Sequence, residues 1–227
     1  MLAGTRWRPQ TLLIADDADW TRDLRATDLA IECVPSDRLA ELCGSREHQG
    51  AAAQMPPYPY LDLDQLLAQS PRRLVVLDRI QYANNFGNIL RTAETFGFDG
   101  CLVTDRGQCE ITAAIARLSA GAIFHLPVAV ADDLAAAVGC LHASGMRCVA
   151  SDLTAAATVT KASFSPPVAI VVGAEHDGVR PEVAAACDQA VLIPQVGRTQ
   201  SLNAASAAAV LMYEAVRAGD SQTIASD

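Results

Sequence analysis

The side chains best able to do chemistry fall in three short blocks, each directly after an apolar run. Residues 168–172 lead into Gly173-Ala174-Glu175-His176-Asp177-Gly178, and residues 190–193 lead into Pro194-Gln195-Val196-Gly197-Arg198-Thr199-Gln200-Ser201-Leu202-Asn203. Earlier, residues 74–80 precede Asn85-Phe86-Gly87-Asn88-Ile89-Leu90-Arg91. Ser201 and Asn203 can both donate and accept hydrogen bonds. A serine that opens a run of helix formers also exposes backbone amides able to hold a polar ligand. The same stretch reads equally as an ordinary strand-to-helix connection with Ser201 as its N-cap. Asn85 is expected to cap the helix that it begins, and Arg91 is a lasting cation. His176, beside Glu175, invites an acid-base reading but is placed at the rim.

These blocks sit in a regular alternation. Strands are expected near Leu74, Cys101, Cys148, Val168 and Ala190, with helices at Asn85, Ile111, Asp132, Arg180 and Leu202. Parallel neighbours need crossovers, so the pattern implies an α/β layer structure with a mainly parallel sheet. Upstream, residues 11–15 and 50–54 read as strands, and residues 37–43 and 61–67 as short helices. Met55-Pro56-Pro57-Tyr58-Pro59 cannot continue a helix and favours an extended connector. The expected domains are 1–56, a linker over 57–71, and 72–227.

The 227 residues are 51% apolar, enough for a full core. No apolar run approaches the span of a bilayer, so a soluble, cytoplasmic protein is expected. Seven cysteines without close pairs fit reduced thiols rather than a disulfide framework, and four dispersed histidines offer no metal-ligand spacing; no metal is expected. A net charge of −9 disfavours a surface that attracts nucleic acid everywhere. Arginines nevertheless gather at Arg6, Arg8, Arg72 and Arg73 and near the blocks as Arg79, Arg91, Arg180 and Arg198, leaving room for a local basic cleft.

In order and spacing the three blocks resemble the signature motifs of the SpoU/TrmH family of RNA ribose 2′-O-methyltransferases, in the SPOUT superfamily. Asn85, Gly87, Arg91 and Ala93 match the first motif; Gly173, Glu175 and Gly178 the second; Ile193 to Asn203 the third and most specific. Tyr82-Ala83 stands where the family often has Asp-Pro, and Gln195 where it usually has methionine. Residues 34–53, with His48-Gln49-Gly50, resemble the end of the small RNA-binding domain that precedes the catalytic domain in many relatives. With ten residues before Thr11, that domain is shorter than usual.

The resemblance implies a C-terminal trefoil knot, a homodimer packed through the last helix, and S-adenosyl-L-methionine held by Gly173, Ile193 and Leu202, with Pro194 and Gly197 shaping the loop. It implies methyl transfer to a ribose 2′-hydroxyl of RNA, ribosomal RNA favoured over transfer RNA, with Arg91, Asn85, Glu175, Ser201 and Asn203 at the reaction. For Arg91 two readings stand: a general base, which needs a large perturbation, or a cation that holds a phosphate and stabilises alkoxide character. A helix-surface salt bridge with Glu94 or Glu175 is the structural alternative. A non-catalytic RNA-binding or ribosome-assembly factor would keep the fold without the chemistry. A dinucleotide-dependent oxidoreductase would want a glycine-rich turn after its first strand, and residues 77–87 hold one glycine.

Overall fold

In the computed structural model, residues 7–18, 29–199 and 201–219 are described. Arg6 and Gln200 lie outside them. The chain forms two compact units that divide between Pro59 and Tyr60.

The first unit is a three-stranded sheet with one helix. Its central strand β1 (Thr11–Ala15) pairs in parallel with β2 (Ala30–Val34) and antiparallel with β3 (Ala51–Gln54). Helix α1 (Ser36–Cys43) buries Leu39 and ends at Gly44 in the left-handed conformation that glycine adopts freely. The His48-Gln49-Gly50 segment is a tight turn into β3, with Gln49 and Gly50 at positive φ and the Gly50 N–H donating to His48 Nδ1. The Trp7 indole donates to the carbonyl of Pro56 and packs edge-on against Tyr58, so the proline-rich stretch is tied to the start of the unit. The sequence reading did not include β2. Its residues, Ala-Ile-Glu-Cys-Val, are mostly exposed at the edge of the sheet and carry no clear apolar alternation.

The second unit begins inside the stretch expected to be a linker. Leu61 exchanges backbone hydrogen bonds with Val128 and Val130, and α2 (Leu63–Leu67) starts with a capping box between Asp62 and Gln65 and buries Leu66. Six strands follow, all parallel: β4 (Arg73–Asp78), β5 (Gly100–Thr104), β6 (Val128–Ala131), β7 (Arg147–Ser151), β8 (Val168–Gly173) and β9 (Gln189–Val191), in the spatial order β6-β5-β4-β8-β7-β9. The two central strands are buried along their whole length, which is why they read as continuous apolar runs. The helices are α3 (Ala83–Thr95), α4 (Ala113–Leu118), α5 (Leu134–Ala143), α6 (Pro181–Ala186) and α7 (Ala204–Gly219). Strand β6 is the one the alternation missed, four residues wedged between Pro127 and Asp132.

From β4 the chain moves outward to β5 and β6, whereas from β8 it turns the other way, to β9 beyond β7. Strands β4 and β8 are neighbours, so their carboxyl ends form a switch point, the crevice where ligands bind in open parallel sheets. Asp78 and Gly173, the last residues of the two strands, are register partners there.

Helix α7 lies on α3 and β8 and buries Ala204, Ala208, Leu211, Met212 and Ala215. The small residues that suggested helix packing therefore face this chain's own core. Helix α3 packs on α4 at Gly87, where a Cβ would come within 2.4 Å of the Leu118 Cβ. Among the described residues, no helix is long and apolar enough to cross a membrane.

Candidate active site

Two loop-helix junctions meet at the switch point. Helix α3 begins at Ala83 with Tyr82 in the N-cap position, so Asn85 is not the expected cap. It sits in the first turn, 7% exposed, and its side-chain oxygen accepts a hydrogen bond from Asn203 Nδ2 at 2.9 Å. The same Asn203 nitrogen donates to Glu175 Oε1, and Asn203 Oδ1 accepts from the Ala205 N–H at 2.9 Å. Asn203, not Ser201, thus caps α7, and the reason is geometric: from that position one amide joins all three sequence blocks while starting the helix.

A larger cavity of about 290 Å³ opens beside this junction. Gly173, Ile193, Ser201 and Leu202 line it, together with Asp152, Thr154, Val172, His176, Asp177, Val179 and Gln195. Pro194 and Gly197 do not; both are exposed on the loop behind Ile193. Gly173 is required by the fold itself. A Cβ there would stand 2.0 Å from the backbone of Gly178, because the loop after β8 folds back over the strand end. A smaller cavity of about 70 Å³ lies alongside, lined by Arg79, Ile80, Gln81, Tyr82, Asn85 and residues 174–177. Ala174, His176 and Asp177 border both.

The base of the crevice is a buried carboxylate. Asp78 is fully buried and accepts the Arg180 N–H at 2.8 Å and Arg180 Nε at 2.9 Å, tying the end of β4 to the start of α6. Arg79 follows with φ of +64°, a conformation costly for a residue with a Cβ; its Nε is 3.6 Å from Asp78, too far for a hydrogen bond, and its other end lies 3.7 Å from Asp177. Sequence reasoning passed over Asp78, although an aspartate closing an otherwise apolar strand was the available signal.

Arg91 stands apart from this group. Six residues beyond Asn85 is about one and two-thirds turns at about 3.6 residues per turn, so the two side chains leave α3 on different faces. Arg91 is exposed, lines neither cavity, and among the described residues forms no hydrogen bond or ion pair, with Glu94 and Glu175 included. Of the arginines at 72 and 73, Arg72 is exposed and Arg73 is buried, 8% exposed.

A model of the SpoU rRNA Methylase family matches residues 72–213. The chain belongs to that family. A protein of Staphylococcus haemolyticus assigned to the TrmH family of tRNA/rRNA methyltransferases is 34% identical over 204 residues, covering 88% of this chain and 82% of its own length. The SpoU methyltransferase AviRb from Streptomyces viridochromogenes, solved with its cofactor AdoMet, superposes with a TM-score of 0.78 at 28% identity, over 93% of this chain and 83% of AviRb. An RNA 2′-O ribose methyltransferase does so with a TM-score of 0.70 at 26% identity, over 93% of this chain and 82% of the other.

This SpoU chain is therefore an RNA methyltransferase by family, on a fold that binds S-adenosyl-L-methionine. The larger cavity suits that group. Valine and leucine walls offer an apolar slot to a ring and an aliphatic chain, and Asp152 and Asp177 suit a cation.

Proposed function

We propose that this protein transfers a methyl group from S-adenosyl-L-methionine to a ribose 2′-hydroxyl of structured RNA, ribosomal RNA in preference to transfer RNA, in the cytoplasm. The observation that carries the proposal is the Asn203 amide, which bridges Asn85 and Glu175 of the smaller cavity from a position between Leu202 and Ala204 of the larger one. Such a cross-link fixes polar groups at one spot, as alignment of a hydroxyl with a methyl carbon demands. The likeness to an RNA 2′-O ribose methyltransferase supports the chemistry, and the SpoU rRNA methylase match supports the RNA class.

Gly173, Ile193 and Leu202 would hold the cofactor, with Pro194 and Gly197 setting the course of the loop. Bound there, it supplies an electrophilic methyl group on a sulfonium. Ser201, exposed on the cavity wall and without a capping role, is free to meet a polar group of cofactor or ribose. Glu175 and Asn85, locked by Asn203, orient the target nucleotide. Arg91 meets RNA as a cation: an exposed guanidinium without a partner among the described residues suits a phosphate, and a guanidinium is a poor proton acceptor. The N-terminal domain expected over residues 1–56 captures RNA, and the chain works as a homodimer through α7, whose Tyr213 remains 53% exposed while its apolar face is spent internally. A C-terminal trefoil threading belongs to the same reading.

Calorimetric titration with S-adenosylmethionine and S-adenosylhomocysteine, with NAD as control, should give one saturable site per chain for the first two alone. Arg91→Ala should keep that site and lose transfer to ribosomal RNA. Loss of both would make Arg91 a structural residue, and binding of NAD alone would reject the methyl-transfer reading.

A further inference from the structure

We propose that Asp152 receives the two ribose hydroxyls of the cofactor's adenosine; the proposal rests on the reading above that S-adenosyl-L-methionine occupies the larger cavity. Asp152 follows the last residue of β7 and lines that cavity half-buried. Its backbone is held on both sides. The N–H donates to the Val191 carbonyl at 3.0 Å, and the carbonyl accepts from the Ala155 N–H at 3.4 Å. The carboxylate is engaged on one side only: Oδ1 accepts the Thr154 N–H at 2.7 Å and the Thr154 hydroxyl at 2.8 Å. Those two bonds account for an aspartate that closes a turn. They leave Oδ2, which has no partner among the described residues. An ionised carboxylate offers about four lone-pair sites. Thr154 fills two of them, so the two that remain on Oδ2 match a ligand group with two donors.

Position separates Asp152 from the reacting carbon. Strand β7 lies one place outward of β8 and two of β4, which at strand spacing puts Asp152 roughly 10 Å from the end of β4. The Asn203 cross-link joins the helix after β4 to the loop after β8, and the methyl carbon must meet it. Asp152 is left the part of the cofactor that does not react. That part carries two kinds of donor that a carboxylate can take: the vicinal hydroxyls of the ribose and the α-ammonium of the amino-acid arm. Either aspartate on the cavity wall suits a cation, and their surroundings divide the two donors between them. Asp177 is exposed, borders both cavities and stands two residues from Glu175, on the reacting side. Asp152 has part of its charge already met by Thr154 and shares the cavity wall with Leu153, Val191 and Ile193. Neutral hydroxyls between an apolar ring and the sulfur fit that place. A carboxylate at the carboxyl edge of a parallel sheet takes sugar hydroxyls in dinucleotide-binding folds by the same chemistry, and a site built to bond a hydroxyl rejects the analogue that lacks it.

The test is calorimetric titration of the full chain with three ligands: S-adenosylhomocysteine, 5′-methylthioadenosine, which lacks the amino-acid arm, and the 2′,3′-dideoxy form of 5′-methylthioadenosine. The wild type should bind 5′-methylthioadenosine about 10–100-fold more tightly than its dideoxy form, the range for hydrogen bonds to a charged group. Asp152→Asn keeps an oxygen for Thr154 and loses the charge. It should weaken S-adenosylhomocysteine and 5′-methylthioadenosine by a similar factor, about tenfold or more, and leave the dideoxy form unchanged. A variant that weakens S-adenosylhomocysteine alone would assign Asp152 to the ammonium and overturn the proposal. So would a wild type indifferent to the missing hydroxyls, a variant that binds all three ligands as the wild type does, or a loss that the dideoxy form shares. A wild type that does not bind S-adenosylhomocysteine at all instead defeats the cofactor reading and takes this proposal with it.

Discussion

Two aspartates in this molecule make the same hydrogen bonds in different surroundings. Asp78 accepts a backbone N–H at 2.8 Å and a cationic side-chain nitrogen at 2.9 Å, both from Arg180. Asp188 accepts a backbone N–H at 2.8 Å from Cys148 and the His142 ring nitrogen at 2.9 Å. Asp78 is fully buried at the switch point, whereas the Asp188 side chain is 41% exposed at the far edge of the sheet. Hydrogen bonds of equal length therefore do different work. A buried carboxylate that loses a partner keeps its desolvation cost, while an exposed one turns to water. The first pair fixes the loops that carry the site, and the second fastens α5 to the start of β9.

Arg180→Ala puts the comparison under the greatest strain. It removes the charged partner but leaves the Arg180 N–H and Arg79 near Asp78, so we expect a loss near the low end of the range for a broken buried pair, about 3 kcal/mol. Urea unfolding of the variant measures it. A loss below about 1 kcal/mol would place Asp78 in the same class as an exposed pair.

Gly173→Ala attacks the same junction from the backbone. The new methyl would stand 2.0 Å from the Gly178 backbone, so the loop over residues 174–178 must move. We expect about 1–3 kcal/mol of destabilisation, the usual cost of overpacking, and weaker binding of S-adenosylhomocysteine. The contrast with Gly197→Ala is the control, because that position has open space around it. If Gly173→Ala leaves both stability and affinity unchanged, the loop is soft and the charge pair alone holds the crevice.

Neither aspartate was legible in the sequence, although the strands around them were, to unequal degrees. Long apolar runs disclosed β4 and β8, since a strand buried on both faces has few residues to choose from. Short or edge strands such as β6 and β2 left no such trace. Motif residues disclosed Asn85, Glu175 and Asn203, and the structure brings these three together. Both expected caps shifted, from Asn85 to Tyr82 and from Ser201 to Asn203: a tertiary contact engages the Asn85 side chain, and Asn203, next to the first residue of α7, caps it with its own side-chain oxygen. The dispersed cysteines and histidines concealed a spatial group: His142, Cys148 and Asp188 place their ligand atoms within 4.8 Å of one another. Asp188 already serves the other two, and the Cys148 thiol, pushed up to about 12 by burial, then by Cys187 and Asp188, is a poor thiolate donor. No spacing rule could bring together three residues that the pairing of β7 with β9 and the packing of α5 on β7 make neighbours.

Asp188→Asn should have the smallest effect. The Cys148 N–H, and after it the His142 ring, hold this carboxyl below the usual aspartate range, so ionised Asp188 favours the folded state. The sign follows from linkage: a lowered folded value means stability that is present above the unfolded value and lost as pH falls through the folded one. At neutral pH the variant should be less stable by no more than about 1 kcal/mol, since solvent screens a side chain this exposed. Below about pH 4 the two curves should converge, because the wild-type carboxyl is then taking up its proton. Urea midpoints measured from pH 7 down to pH 3 provide the check. A gap that persists unchanged to the acid end would mean that the asparagine spoils packing at the edge of β9, and the contrast between the two aspartates would then owe less to charge than to shape.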